Sequence, residues 1–340
     1  MITGYIGSYT KENGKGIYKF SIDEDKKVIH SVETGYEVQA STYIAKYKDH
    51  LYGIKKSDNQ CGIQSYQIES DETLKATNDV LPHQSTGCHI SISHDGKYLL
   101  EAVYGDGVVR LYGLDKDLNI ERFIDTHQQK GNGPNTERQD NAHTHFIQET
   151  PDHKYAVAVD LGTDEVITFS FGEDGFEQVH TLKVAPGSGP RHLVFHENGK
   201  YAYLFTELSN KVTVLEYNQG QFKVLETYQA LPEAFDGHSQ GAAVRMSHDQ
   251  RFVYVSNRGH QSITVYEVLG NGEALKNVGC VESGGDWPRD FNIDPSDRFL
   301  VCAHERSGHL VLFERDIETG LLTMVDNTQK VPEGVCVIFN

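Results

Sequence analysis

The sequence predicts an all-β chain built as a seven-bladed β-propeller, and three observations carry that prediction. A phrase made of a polar turn, an aromatic and alternating apolar positions recurs along the chain. Period-two alternation of β-branched and aromatic residues follows each copy, while no stretch keeps a helical period. The final residues read as a strand with no second strand beside them.

The copies are clearest in CHISISHDGKYLLEAVYG, HFIQETPDHKYAVAVDLG, RHLVFHENGKYAYLFTEL, VRMSHDQRFVYVSNRG and DFNIDPSDRFLVCAHER, anchored by Tyr98, Tyr155, Tyr201, Phe252 and Phe299 at spacings of 57, 46, 51 and 47. A weaker copy places Leu51 in register 47 residues before Tyr98, and TGYIGSYT stands one unit earlier. Each copy continues into a second alternating stretch (VVRLYGL, VITFSF, VTVLEY, ITVYEV, LVLFER), a turn, and a third, shorter one. Four strands at this spacing make a propeller blade, and the count of units is seven. The N-terminal unit lacks a first strand, which Val335 to Phe339 (VCVIF) would supply, closing the ring and removing an open edge. Residues 229–241 read as a loop, the run from Gln128 to Ala142 is the longest connection, and residues 1–340 form one domain.

Strand polarity then gathers side chains. Counting strands outward from the axis, the start of the first and the end of the second lie on one face of the ring, with the long connection above it. Ten residues before each aromatic stand Cys88, His145, Arg191, Ala242 and Arg289; six after it stand Tyr104, Leu161, Glu207, Arg258 and Glu305. One His, three Arg and two Glu thus meet at one mouth. Arginine offers a fixed fork of donors for phosphate or carboxylate, and Glu and His move protons near neutral pH. The plainer reading is of strand-end charges that are solvated or paired, Arg191 with Glu207 for example. His145, Glu207, Arg191 and Arg258 are the candidate catalytic residues, and Arg289, His89 and Glu305 the candidate substrate-binding ones. For His89, core packing is an equal alternative. His143 and His145 form an HxH pair with no clear third ligand, so a metal ranks below a metal-free site. No GxSxG elbow is present, and the Gly-rich turns are too dispersed to cradle a nucleotide.

Composition bounds the partners. With 31 Lys+Arg against 49 Asp+Glu the formal net charge is −18, which repels phosphate backbones and anionic lipid and argues against nucleic acid and membrane as partners. No apolar run approaches the ~18 residues of a membrane helix, and the N-terminus lacks the layout of a signal peptide, so the expected location is cytoplasmic. Five scattered cysteines without a CxxC read as reduced thiols. Oligomeric state is left open.

The run GPRHLVFHENGKYAYLFTELSNKVTVLEY, with LPEAFDG, SHDQRFVYVSNRGHQSITVYEV, WPRDFNIDPSDRFLV, ERDIETGLL, MITGYIGSYT and EGVCVIF, resembles the seven-bladed propeller lactonases, and within them the propeller-type 6-phosphogluconolactonases. The resemblance covers nearly the whole chain. It implies hydrolysis of 6-phospho-D-glucono-1,5-lactone to 6-phospho-D-gluconate in the pentose phosphate pathway, with no cofactor. A fungal branch of the same fold acts on a carboxymuconolactone through one His, two Arg and one Glu, a set that carries over onto His145 in AHTHF, Arg191 in GPRH, Glu207 in FTEL and Arg258 in SNRG. The segments EAVYG and AHERS depart from the family pattern, so Glu101, His304 and Glu305 are expected to bear on substrate preference. A different anionic lactone, opened or formed, and a noncatalytic protein-binding propeller are the alternatives.

Overall fold

A computed structural model describes residues 1–340. It contains 28 β-strands and no helix, arranged as seven four-stranded antiparallel sheets, the strand complement of seven propeller blades. The first sheet has the order β28-β1-β2-β3, from β1 (Ile2–Ser8), β2 (Gly16–Asp23), β3 (Val28–Glu37) and β28 (Gly334–Phe339). The other six are sequential meanders: β4 to β7 within 44–83, β8 to β11 within 89–128, β12 to β15 within 144–183, β16 to β19 within 190–229, β20 to β23 within 240–282, and β24 to β27 within 288–326.

The alternation seen in the sequence becomes two buried faces in the middle strands. β10 (Val108–Leu114), β13 (Ala156–Asp160) and β25 (Phe299–His304) are buried at every position, as expected of strands with a sheet packed on either side. The outermost strands correct an expectation. Six of them, β3, β7, β11, β15, β19 and β23, run to 9 or 10 residues and are the longest in their sheets, where the sequence suggested shorter ones; only β27 (Leu322–Asp326), with 5, is short. Their solvated face carries Glu, Lys, Thr and Asn, so the apolar signal fades before the hydrogen-bonded ladder does.

The contacts group the chain into two compact units. One comprises Met1–Glu37, His192–Glu216 and Val224–Asn340, the other Val38–Arg191 and Tyr217–Lys223. In the first, Phe20, Ile22, Val301, Leu312 and Val337 form one apolar layer between neighbouring sheets, and Phe252, Tyr254, Phe291 and Phe313 form the next. In the second, Leu100, Leu111, Ile147, Ala158 and Phe169 do the same.

The chain ends meet as predicted. β1 pairs with β28 antiparallel, Tyr5 opposite Ile338 and Ile6 opposite Val337, with β28 beginning one residue before the expected Val335. Two further ties were not legible. The Glu333 carboxylate accepts the backbone N–H groups of Lys11, Glu12, Asn13 and Gly14 at 2.9–3.2 Å. Asn340 donates its backbone N–H to Thr3 O and its side-chain amide to Thr3 Oγ1, both at 3.0 Å.

Candidate active site

In the first unit, the candidate residues stand at the ends of second strands. Glu207 follows β17 (Tyr201–Thr206), and Arg258 closes β21 (Phe252–Arg258). Their side chains meet in an ion pair of 2.7 Å with both side chains about 4% exposed. Close approach of the two sheets depends on Gly241 in β20 (Gln240–Met246), where a Cβ would lie 2.4 Å from the carbonyl oxygen of Thr206. The same glycine accepts from Arg258 Nη2 at 2.6 Å through its own carbonyl, while its N–H donates to Glu207 O at 2.9 Å. Arg258 Nε has no hydrogen-bond partner in the protein. Burial pushes the Arg258 pKa down and Arg289 adds to that, while Glu207 and Glu305 oppose it; an arginine keeps its proton under such pressure. A fully buried cation with a spare donor is arranged to receive an anion or a carbonyl oxygen.

Arg289, in β24 (Pro288–Ile293), pairs with Glu305 at 3.1 Å, their side chains 19% and 21% exposed. Trp287 lies against this group. Its ring has the Arg258 guanidinium 5.4 Å from its centroid and that of Arg306 at 3.4 Å, and Arg289 lies 5.3 Å from the Tyr9 ring. Trp287 takes a φ of 70°, unusual for a bulky residue, and is held there by its N–H donating to Gln261 Oε1 at 2.8 Å and its carbonyl accepting from Glu305 N–H at 3.1 Å. Sequence reasoning missed Trp287, Arg306 and Tyr9. The one available signal was that the chain's single Trp directly precedes PRD.

In the second unit, His145 is buried in β12 (Thr144–Glu149). The turn before it is fixed by Asp160, which accepts from His143 N–H at 3.0 Å and from the Thr144 hydroxyl at 2.7 Å. The His145 ring stands edge-on to Tyr104 at 5.6 Å, and its Nδ1 is 3.9 Å from Cys88 Sγ. The long connection packs onto the same strand ends, Gln139 donating to Leu161 O at 2.8 Å and Arg138 to the Tyr104 hydroxyl at 3.4 Å. His143 stacks on Tyr104, with Nδ1 2.9 Å from Tyr104 O and Nε2 3.0 Å from Asp140 Oδ1. Both ring nitrogens thereby face oxygen atoms of the protein, which fix the orientation of the ring. That hydrogen bond from His143 holds the Asp140 carboxyl below its ordinary pKa. Arg191 is buried near the start of β16 (Pro190–Phe195), behind a turn in which Asp164 accepts the N–H groups of Gly187 at 2.7 Å and Gly189 at 2.8 Å.

Three other residues take packing positions. The His89 ring lies 4.4 Å from that of Tyr43 and 4.3 Å from that of Phe146, and its Nδ1 accepts from Ile147 N–H at 3.4 Å, the surroundings of a core histidine. Glu101 is enclosed in its own sheet, where Tyr112 Oη donates to it at 2.8 Å and Arg110 pairs with it at 3.3 Å. His304 is fully buried, and burial lowers its pKa to about 4, keeping the ring neutral.

The chain matches, over residues 3–339, the model of a family described as "Lactonase, 7-bladed beta-propeller". An uncharacterized protein of Staphylococcus aureus is 50% identical over 342 residues, covering 100% of both chains, and one of Staphylococcus saprophyticus is 48% identical over 341 residues, covering 99% of each. Among solved structures, a protein from Lactobacillus plantarum superposes with a TM-score of 0.93 at 32% identity over 100% of both chains. A protein of Bacteroides fragilis, provisionally assigned as a 6-phosphogluconolactonase, gives 0.89 at 29% identity over 100% of this chain and 98% of that one. The periplasmic gluconolactonase of Pseudomonas aeruginosa gives 0.90 at 26% identity over 100% and 99%. Seven four-stranded sheets, a chain joined end to end in the first of them, and likeness along the full length place this protein in the family of seven-bladed β-propeller lactonases.

Proposed function

We propose that the protein hydrolyses 6-phospho-D-glucono-1,5-lactone to 6-phospho-D-gluconate, in the cytoplasm, as a step of the pentose phosphate pathway and without a cofactor, residues 1–340 acting as one domain. The observation that carries this reading is Arg258: a buried guanidinium with an unused Nε donor, tied through Glu207 to a neighbouring strand end. An aldonolactone is an activated ester. It needs a positioned water, a base, and donors aimed at the oxygen that becomes negative when water adds to the carbonyl carbon. His145 is the base in this reading, since Glu207, held 2.7 Å from Arg258, is weakened as a proton acceptor. Water gives its proton to His145 as its oxygen bonds to the lactone carbonyl carbon. Arg258 and Arg191 hold the oxyanion, and the proton passes to the ring oxygen as its bond to that carbon breaks.

Arg289 is the phosphate ligand in this scheme. Its guanidinium is partly exposed beside Glu305, and a chain carrying a net charge of −18 needs a local cation to retain an anionic substrate. A second reading, an unphosphorylated gluconolactone as substrate, is supported by the likeness to the Pseudomonas aeruginosa gluconolactonase. The two are separated by following the loss of freshly generated 6-phosphogluconolactone and of plain gluconolactone against their spontaneous hydrolysis. A higher kcat/KM for the phosphorylated lactone is expected. Equal values would leave the phosphate unrecognised, and no acceleration of either would remove both readings.

A further inference from the structure

We propose that His94, Glu149 and His153 bind one divalent first-row transition ion of the Zn2+ type, away from the reacting residues. His94 lies in the turn joining β8 (His89–Ile92) to β9 (Tyr98–Val103); Glu149 ends β12, and His153 follows in the turn to β13. All three belong to the same compact unit. Their ligand atoms lie within 4.8 Å of one another. His94 Nδ1 is 3.0 Å from Glu149 Oε1, and His153 Nδ1 is 3.4 Å from Oε2. Tetrahedral zinc with bonds of about 2.0 Å spaces its ligands about 3.3 Å apart, so these separations already suit a common ion.

Turn chemistry alone accounts for the carboxylate and for a histidine at the position of His94, but not for the second imidazole. The equivalent turn after β20 shows the bare device: Asp297 accepts the N–H groups of His248 at 2.8 Å and Asp249 at 2.7 Å. Glu149 does the same for His94 N–H at 2.7 Å. The second histidine is additional to that device. His153 occupies the left-handed turn position at φ 58°, where the corresponding hairpins place Gly96, Gly199, Gln250 and Asp297. The two rings stack with centroids 3.7 Å apart, both Nδ1 atoms turned to the one carboxylate. As imidazoliums they would be two cations in contact. As neutral rings protonated at Nε2 they offer two Nδ1 lone pairs to one ion, which replaces the Nδ1–H contacts with Glu149 and whose charge Glu149 shares, the mixed nitrogen and oxygen set that suits zinc. Half-exposed imidazoles, at 49% and 50%, leave the remaining coordination to water. The ion would therefore tie together the first-to-second-strand turns of two neighbouring sheets. His145 lies four residues back along β12, roughly 13 Å of strand away, so the hydrolytic residues are not its ligands.

The test is calorimetric titration of the intact protein with zinc chloride, beside the thermal midpoint with and without zinc. One ion per chain is expected, with a rise in midpoint, because an ion bound only by the folded state stabilises it. The double variant His94→Ala/His153→Ala should lose at least tenfold in affinity, roughly, and with it the zinc-dependent rise. His153→Asn keeps a residue at ease in the left-handed turn and separates loss of a ligand from damage to the hairpin. Absence of zinc binding to the wild-type protein, or undiminished binding by both variants, would overturn the proposal.

Discussion

Two buried glutamate–arginine pairs occupy this molecule, and they are built for different ends. Glu101 and Arg110 face each other in register on adjacent strands of one sheet, closed over by Tyr112, and Arg110 also donates to Ser85 O at 3.0 Å and Ser85 Oγ at 2.8 Å. Glu207 and Arg258 come from the ends of strands in two different sheets, and Arg258 leans on Trp287 with its Nε unspent. Burial pushes the Glu101 carboxyl upward against the pull of Arg110, as in a pair sealed from solvent. Charge and burial are shared by both, and each keeps one unpartnered atom, an acceptor in Glu101 Oε1 and a donor in Arg258 Nε; position and the sign of that atom distinguish them. A buried ion pair contributes little net stability, so a pair retained at a strand end with a spare donor reads as a site, and one within a ladder as packing.

Replacing each pair in turn would break or confirm that contrast. Arg258→Ala and Glu207→Ala should lower kcat for the lactone by ~10² or more, the loss expected when a preorganised donor is removed from an acyl-transfer site. Arg110→Ala and Glu101→Ala should instead destabilise the fold by about 3 kcal/mol, since each strands a buried charge, and leave kcat of the folded protein unchanged. Denaturant titration and steady-state kinetics on all four variants measure both effects. An inverted pattern would reverse the assignment.

Arg289→Ala sharpens the contrast within the first unit. It should raise KM about tenfold for the phosphorylated lactone and little for the plain one, with Arg289→Lys recovering only part. An equal change for both substrates would move Arg289 away from the phosphate. Prolonged chelation should leave kcat unaltered, because arginine donors provide the charge a Lewis acid would provide, whereas the thermal midpoint should fall through loss of the ion at His94, Glu149 and His153.

The smallest expected effect concerns a third carboxylate, Glu333, satisfied wholly by backbone N–H groups. Burial raises its pKa, but the donors from Gly14, Glu12, Lys11 and Asn13 outweigh burial and hold it below the usual carboxylate value. A depressed folded-state pKa contributes stability that is present above the unfolded value, near 4.5, and lost as pH falls through the folded one. Glu333→Gln should therefore lower stability at neutral pH and flatten the acid limb of the stability curve, read as thermal midpoint against pH. A parallel curve displaced at every pH would mean that the charge plays no part.

Much of this was legible in the sequence. Turn, aromatic and alternation repeat because every sheet solves the same packing problem, and strand polarity followed from the repeat. It brought Glu207, Arg258, Arg289 and Glu305 to strand ends in the first unit and His145 and Tyr104 to strand ends in the second. What escaped lay outside the repeat or at positions where the copies differ. Asp140 and Arg138 come from the long connection, and Arg306 and Trp287 stand beside the strand ends at positions where other copies carry glycine, such as Gly105 and Gly259 for Arg306 and Gly189 for Trp287, so no repeated side chain drew attention to them. For His89, core packing was an equal alternative in the sequence and its ring lies between those of Tyr43 and Phe146, while the departure that singled out Glu101 does not say whether the side chain meets a cavity or its own sheet. The Glu333 contacts are to main-chain N–H groups, which no side-chain pattern records.

The meeting of the chain ends has one more consequence. Thr3 and Asn340 are hydrogen-bonded directly, and Ile6 sits opposite Val337 across a separation of more than three hundred positions. Closing so long a loop costs about 4 kcal/mol more than closing a hairpin turn, on a logarithmic dependence on loop length. The covalent break and this costly seam therefore coincide. Joining the termini through a few glycines and reopening the chain at another exposed turn would make the β1–β28 pairing local and transfer the long-range closure to a different sheet. Such a circular permutant should reach the same native structure by a different order of assembly.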